Sequence, residues 1–182
     1  MTQLNQLAAL TELELSPEHP ARAQVRKSQQ AVHAMFRSVD EIVWAVNPQN
    51  DNLSSLLSYL REFATGYLES AKIALRFDWP QSTPLVAVSG RIRHQLFLVV
   101  KEALHNILRH SGASAVVFTA SIDHGLLRLA LRDNGAGFDP ANVPADSNGL
   151  RNMRKRIEDL GGSFTLSSAP QQGTALTAEV NL

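Results

Sequence analysis

Only one of the ten glycines in this 182-residue chain, Gly66, precedes residue 90. Glycine is favoured where a chain turns sharply or ends a helix, so its scarcity suits long helices and its recurrence suits strands joined by turns. The first half therefore reads as helical and the second as a sheet with helices set between its strands, the boundary lying near Pro80 to Gly90. That segregation predicts an α+β fold.

In the helical half, Val25, Val32, Phe36, Val39, Val43 and Val46 recur at spacings of seven, four, three, four and three. This is the a/d pattern of a helix that buries a seam against another helix. Leu4, Leu7, Leu10 and Leu13 sketch a shorter partner, with Ser16-Pro17-Glu18-His19-Pro20 as the turn between them. The pair forms a helical hairpin, of the kind that two chains combine into a four-helix bundle. Asn47-Pro48-Gln49-Asn50-Asp51 breaks the second helix, because a residue before proline is pushed out of the α region. Ser54 to Ala71 resumes helical spacing, with Leu53, Leu56, Leu57, Leu60, Phe63, Ala64, Tyr67 and Leu68 on one face.

From Ile73 the apolar period changes to two, and Ile73, Leu75, Phe77 and Trp79 predict a half-buried strand. A helix follows over Ser89 to His110. Val116 to Ile122 and Leu126 to Arg132 alternate as strands joined through Asp123-His124-Gly125, a hairpin signal. Asp139 to Asn148 holds two prolines and no apolar period, and reads as a loop with few anchors. Gly149 to Leu160 is a helix closed by Gly161-Gly162, and Phe164 to Ser168 and Ala175 to Val180 complete the strands. The expected second domain is an α/β sandwich, a mixed, largely antiparallel sheet with helices on one face.

Lys+Arg 17 balance Asp+Glu 17, and cysteine is absent. Zero net charge argues against direct nucleic-acid binding, and the lack of thiols removes disulfides, thiolate metal sites and cysteine nucleophiles. No run approaches the roughly 18 apolar residues of a membrane span, and Met1 to Leu15 lacks the basic start and apolar core of a signal peptide. The chain is expected in the cytoplasm, any membrane anchor of a longer parent lying outside this sequence.

Four short segments carry chemistry. On the helix Ser89 to His110, Glu102, Asn106 and Arg109 stand at i, i+4 and i+7, opposite an apolar stripe of Ile92, Leu96, Val100, Ala103, Leu104, Ile107 and Leu108. A solvated face accounts for such a row, but asparagine is a poor helix former there, and a carboxamide oxygen beside a carboxylate suits Mg²⁺. Asp133-Asn134-Gly135-Ala136-Gly137-Phe138 follows a strand directly; it reads equally as a tight turn and as a loop whose glycines admit a ligand, with an aspartate able to accept from an exocyclic amine. Asn148-Gly149-Leu150-Arg151 opens a helix, where backbone N–H groups favour anions. Gly173-Thr174 enters the last strand.

Taken in this order, the segments from Arg91 to Leu182 resemble the ATP-binding domain of sensor histidine kinases, in the superfamily shared with gyrase, the Hsp90 chaperones and MutL. The N box is matched by Glu102-Ala103-Leu104-His105-Asn106-Ile107-Leu108-Arg109-His110-Ser111, and the two glycine boxes by Asp133 to Phe138 and by Gly149-Leu150-Arg151-Asn152-Met153. Asn-x-x-Arg-His-Ser, the short lid and Gly-Leu-x-x-Met-Arg look like the subfamily that pairs with helix-turn-helix response regulators. Asp40-Glu41-Ile42-Val43-Trp44-Ala45-Val46-Asn47-Pro48 looks like the end of its dimerisation hairpin.

The resemblance implies that Asn106 coordinates Mg²⁺ on the phosphates of ATP, that Asp133 holds the adenine amine, and that Gly135 and Gly137 let the backbone follow the nucleotide. It implies phosphate or ribose contact for Arg109, a place beside the nucleotide for His110, and backbone donors to phosphate at Gly149 and Leu150. Gly173 and Thr174 would close the adenine side, and Glu102 would be the general base. Arg151, Arg154, Lys155 and Arg156 read as a solvated face. The partners implied are a response regulator and, in the intact kinase, a second copy of the chain. Residues 1–48 are then the dimerisation and phosphotransfer hairpin, and residues 49–182 the catalytic domain, with its nucleotide motifs in 89–182.

One part of the pattern is missing. The family's phosphorylated histidine sits early in the first hairpin helix and is followed by an acidic residue, whereas Met1 to Leu15 has no histidine, His19 lies in the turn and His33 precedes Ala34. The chain is therefore expected to begin downstream of that site, as a truncated hairpin unable to phosphorylate itself there. Alternative readings are a protein-serine kinase or anti-sigma regulator with the same nucleotide fold, which would not need a heptad-patterned hairpin, and a purely dimerising module, against which the intact Glu102, Asn106 and Asp133 speak. A gyrase-like or MutL-like ATPase would require a longer chain.

Overall fold

A computed structural model describes residues 19–142 and 148–182. The expected helix over Leu4 to Leu13, most of the turn before Pro20 and the middle of the expected lid lie outside the described residues. The chain divides into two compact units, Met1–Val46 and Asn47–Leu182.

In the first unit, helix α1 runs over Pro20–Val46, 27 residues without an internal glycine or proline. His19 precedes it and its Nδ1 accepts from the N–H of Ala21 at 3.2 Å. Met35, Val39, Ile42, Val43 and Val46 recur at helical spacing and are 48–70% exposed, an apolar stripe facing solvent.

The second unit begins where the sequence places the break. Asn47 Oδ1 accepts from Gln49 N–H at 3.0 Å and starts a 3-10 turn over Pro48–Asn50. Asn52 then caps α2, Leu53–Glu69, through a 2.8 Å bond from Ser55 N–H. Side-chain caps of this kind satisfy amides that a helix start leaves unpaired. Leu53, Leu56, Leu57, Leu60, Ala64 and Leu68 form its buried face, with Phe63 and Tyr67 half-buried at the edge. Strand β1, Ala74–Asp78, buries Leu75 and Phe77 more than their neighbours, as the period of two requires.

Helix α3, Gly90–Asn106, is capped by Ser89 and continues as a single π-helical turn over Ile107–Ser111. β2, Ala115–Asp123, and β3, Leu126–Asp133, form the expected hairpin; His124 at φ 48° and Gly125 at φ 84° make the two-residue turn whose twist matches antiparallel strands. Helix α4, Asn148–Glu158, and strands β4, Ser163–Ser168, and β5, Thr174–Asn181, complete the unit.

The sheet order is β1-β2-β3-β5-β4, with β1 parallel to β2 and every other pair antiparallel. Val116, Phe118 and Ala120, Leu127, Leu129 and Leu131, and Leu176, Ala178 and Val180 point to one face and are all nearly inaccessible. The alternate residues are more exposed, so one face of the sheet carries the helices, as the alternation predicts. Each fully buried leucine contributes roughly 1.5–3 kcal/mol, which makes this face the main source of stability.

Two features depart from the sequence reading. Leu108, placed in the apolar stripe, is 41% exposed because the wide turn rotates it out of register with Leu104. Arg93, on the inner side of α3, is fully buried and donates to Asn47 O at 3.1 Å and to Asp51 Oδ1 at 2.5 Å. A buried guanidinium persists only when paired, so this contact joins α3 to the segment preceding α2.

Candidate functional site

The chemistry collects around one cavity of about 670 Å³ bounded by α3, α4 and the open part of the sheet face. Its apolar wall comes from Leu131, Leu166, Leu176 and Met153, each delivered by a different element. Asp133 ends β3 beside this wall and is 4% exposed. Its Oδ1 accepts from Gly135 N–H at 2.8 Å, leaving Oδ2 without a protein hydrogen bond among the described residues. A carboxylate so placed can accept from a ligand amine beside the apolar wall.

The glycine loop is held on both sides. A side chain at Gly135 would overlap the backbone of Ser111, and the neighbouring Ala136 N–H donates to Ser111 O at 2.7 Å. Gly137, at φ +59°, faces the carbonyl oxygens of Ala169 and Gly173, leaving no room for a Cβ. Ser168 joins this loop to the β4–β5 turn: its Oγ accepts from Phe138 N–H at 2.9 Å and donates to Gly173 O at 3.0 Å. The same Oγ lies 3.0 Å from Thr174 Oγ1, and Gln171 N–H donates to Ala136 O at 2.5 Å. Gly173 in turn presses on the backbone of Asp133. Gly135 and Gly173 thus support the cavity from behind, while Gly137 and Thr174 line it.

The opposite end belongs to the helices. Glu102, His105 and Asn106 project from α3, and Gly149 and Leu150 stand in the first turn of α4. A Cβ on Gly149 would meet the Glu102 carboxylate and come within 3.7 Å of Asn106 Nδ2, so carboxylate, carboxamide and helix start converge. His110 lines the cavity and Arg109 does not. His110 thus stands where the resemblance implied and Arg109 does not; the π turn, with its extra residue per turn, rotates the two relative to regular winding. Arg109 instead lies close enough to Tyr67 for its charge to lower that phenol's pKa, against a larger upward effect of burial.

Asn106 and Glu102 offer hard oxygen donors, and among the described residues no group of three His, Cys, Asp or Glu could enclose a metal. That set fits Mg²⁺, which takes one or two protein oxygens and completes its octahedron with phosphate oxygens and water. Sequence reasoning missed the apolar wall, His105 of the lining and the tethers made by Ser168, whereas Asp139 and Asn142 of the lining belong to the segment read as a lid. It also missed Asn134, whose Oδ1 accepts from the N–H groups of both Ser114 and Ala115 at 3.0 Å. The apolar liners were legible only as alternating strand residues, since nothing in a strand's period says which end of it is left uncovered.

A cavity at strand ends, with an aspartate held by a glycine loop and a helix start opposite it, suits a ligand that carries an amine at one end and an anion at the other. The family model for histidine kinase-, DNA gyrase B-, and HSP90-like ATPases matches residues 92–182. The chain belongs to that family, and its ATP-binding domain is of the sensor histidine kinase type.

Sensor histidine kinase LiaS of Bacillus subtilis (strain 168) is 35% identical over 121 residues, 66% of this chain and 34% of that protein. The histidine-protein kinase/phosphatase UhpB of Salmonella typhimurium (strain LT2) is 33% identical over 137 residues, 73% of this chain and 26% of that protein. The chain thus matches 34% of the length of the first relative and 26% of the second. The solved histidine kinase domain of the Erythrobacter litoralis EL346 blue-light activated kinase superposes with a TM-score of 0.62 at 20% identity, covering 100% of this chain and 93% of that one. Among the described residues no helix is long and apolar enough to cross a membrane.

Proposed function

We propose that residues 49–182 are the catalytic domain of a two-component sensor histidine kinase and that residues 1–48 belong to its dimerisation hairpin. The observation that carries this reading is Asp133, a buried carboxylate that lines the cavity beside its apolar wall, with one oxygen fixed by Gly135 and the other without a protein hydrogen bond among the described residues. Such a group selects a ligand with an amine beside an aromatic surface, and adenine has both. Leu131, Leu166 and Leu176 would face the base, with Thr174 closing its edge.

The phosphates would then extend toward α4, where the Gly149 and Leu150 N–H groups and the positive helix end receive them. Asn106 would hold Mg²⁺, which would supply charge to offset that of the phosphates. His110 would border the nucleotide, and Arg109, outside the cavity lining, would reach it only by a change of side-chain conformation. Glu102 would also take the proton from the attacking imidazole as its nitrogen bonds to the γ-phosphorus and the bond to ADP breaks.

The acceptor is a histidine followed by an acidic residue on the first hairpin helix. None of the six histidines of this chain is followed by Asp or Glu, so the acceptor is assigned to another segment. From there the phosphoryl group would pass to an aspartate of a response regulator with a helix-turn-helix output domain. A second copy of the intact kinase would cover the stripe of Met35, Val39, Val43 and Val46 on α1. The length of α1 favours this reading over an anti-sigma serine kinase, which has no use for such a hairpin.

Incubation with γ-labelled ATP tests the proposal. This chain alone should acquire no acid-labile phosphate, and a companion fragment carrying the first hairpin helix with its histidine should become labelled in its presence. Stable label on His33, or an unlabelled companion, would contradict it.

A further inference from the structure

His105 stands between two cavities. With Glu102 and Asn106 it borders the large cleft, and it also borders a second cavity of about 440 Å³ lined on its outer side by Lys101, Asn152 and Arg156. Glu102, His105, Gly149 and Met153 are common to both, whereas Asp133 and the glycine loop border only the first. The junction therefore lies on the α3–α4 side of the cleft and not at the glycine loop. A nucleotide anchored at Asp133 with its phosphates directed at the start of α4 would extend its terminal phosphate furthest toward it.

The ring of His105 is held from behind. Tyr67 Oη, on α2, lies 3.1 Å from His105 Nδ1. Tyr67 is itself fixed by stacking on Phe63 at 5.5 Å between centroids, and Phe63 meets Phe97 of α3 edge-on at 4.9 Å. Burial raises the Tyr67 pKa above its ordinary value, so the phenol keeps its proton at neutral pH. With the phenol on Nδ1, Nε2 is the ring nitrogen left to meet a ligand beside Glu102 and Asn106.

We propose that His105 binds the terminal phosphate of the nucleotide through Nε2–H, and that Tyr67 is the positioning residue that fixes its ring. The pair would make the cleft discriminate a nucleoside triphosphate from the diphosphate left after transfer. This inference rests on the reading of the cleft as an Mg-ATP site.

Calorimetric titration of the chain with Mg²⁺ and either a non-hydrolysable ATP analogue or ADP separates the two claims. In His105→Ala the ratio of analogue to ADP affinity should fall about tenfold, the loss of one charge-assisted hydrogen bond. His105→Gln, whose amide N–H can stand in for Nε2–H, should recover most of that ratio, and Tyr67→Phe should lower it about threefold as the ring loses its orientation. Equal loss for both nucleotides in His105→Ala, or no loss for either, would overturn the assignment while leaving the ATP site standing. Failure of the unaltered chain to bind any adenine nucleotide would overturn both.

Discussion

The Glu102 carboxylate occupies the space in which a side chain on Gly149 would begin. Two segments far apart in sequence thereby share one small volume, and glycine at 149 is what permits the acidic group to lie against the start of α4. Gly149→Ala should push Glu102 from this position without disturbing the sheet. The expected result is a melting temperature within a few degrees of the parent and phosphoryl transfer to a companion helix reduced about tenfold or more, as displacement of a catalytic group commonly costs. Unchanged transfer would separate Glu102 from the reaction.

Gly137 gives a prediction about folding as well as binding. Its positive φ and the carbonyls of Ala169 and Gly173 both exclude a side chain, so Gly137→Ala should destabilise the domain by about 3 kcal/mol or more, strain and overpacking together. Gly112 also has positive φ but open space around it, and Gly112→Ala should cost only about 1–2 kcal/mol. Urea unfolding of the two variants checks the order.

Asn106→Ala should remove the part of nucleotide affinity that depends on Mg²⁺. Without the metal, parent and variant should bind an ATP analogue almost alike; with it, only the parent should gain, by a factor of roughly ten for one lost ligand. Titrations at fixed nucleotide and varied Mg²⁺ read this directly. A full metal-dependent gain in the variant would take Asn106 out of the metal site.

Tyr67 supplies a pH signature. Its pKa is raised in the folded chain, chiefly by burial, with Arg109 opposing and Glu102 adding to the shift. A raised folded-state pKa means a stabilising contribution that is complete below the ordinary tyrosine value of 10.0 and lost as pH rises from there through the folded value. Tyr67→Phe should therefore lose stability less steeply than the parent above about pH 10, a difference that urea midpoints on either side of that pH would show.

Asp133, the paired glycines after it, and Glu102 four residues before Asn106 stood out in the sequence, but each also read as a turn or a solvated face, and only their order, through the family resemblance, suggested roles; strand alternation located the sheet face. The exclusion of Arg109 from the lining was not legible, since helical arithmetic assumes regular winding and nothing in Ile107 to Ser111 announces a wide turn. The buried pair of Arg93 and Asp51 was also hidden, because an arginine on a helix reads as solvated until its tertiary neighbour is known. Ser168 and Asn134 look like ordinary turn residues, and their work is to hold two loops together across the sheet edge.

The most direct test of the account is the adenine preference of the cleft and its dependence on Asp133. Calorimetric titration of the chain with a non-hydrolysable ATP analogue should show saturable binding that the matching GTP analogue does not reproduce. Asp133→Asn should weaken it by about 1–3 kcal/mol, or roughly 5- to 150-fold, because the amide cannot reproduce the carboxylate's acceptor on the cavity side. Equal binding of ATP and GTP analogues, or full affinity in Asp133→Asn, would contradict the account at its centre.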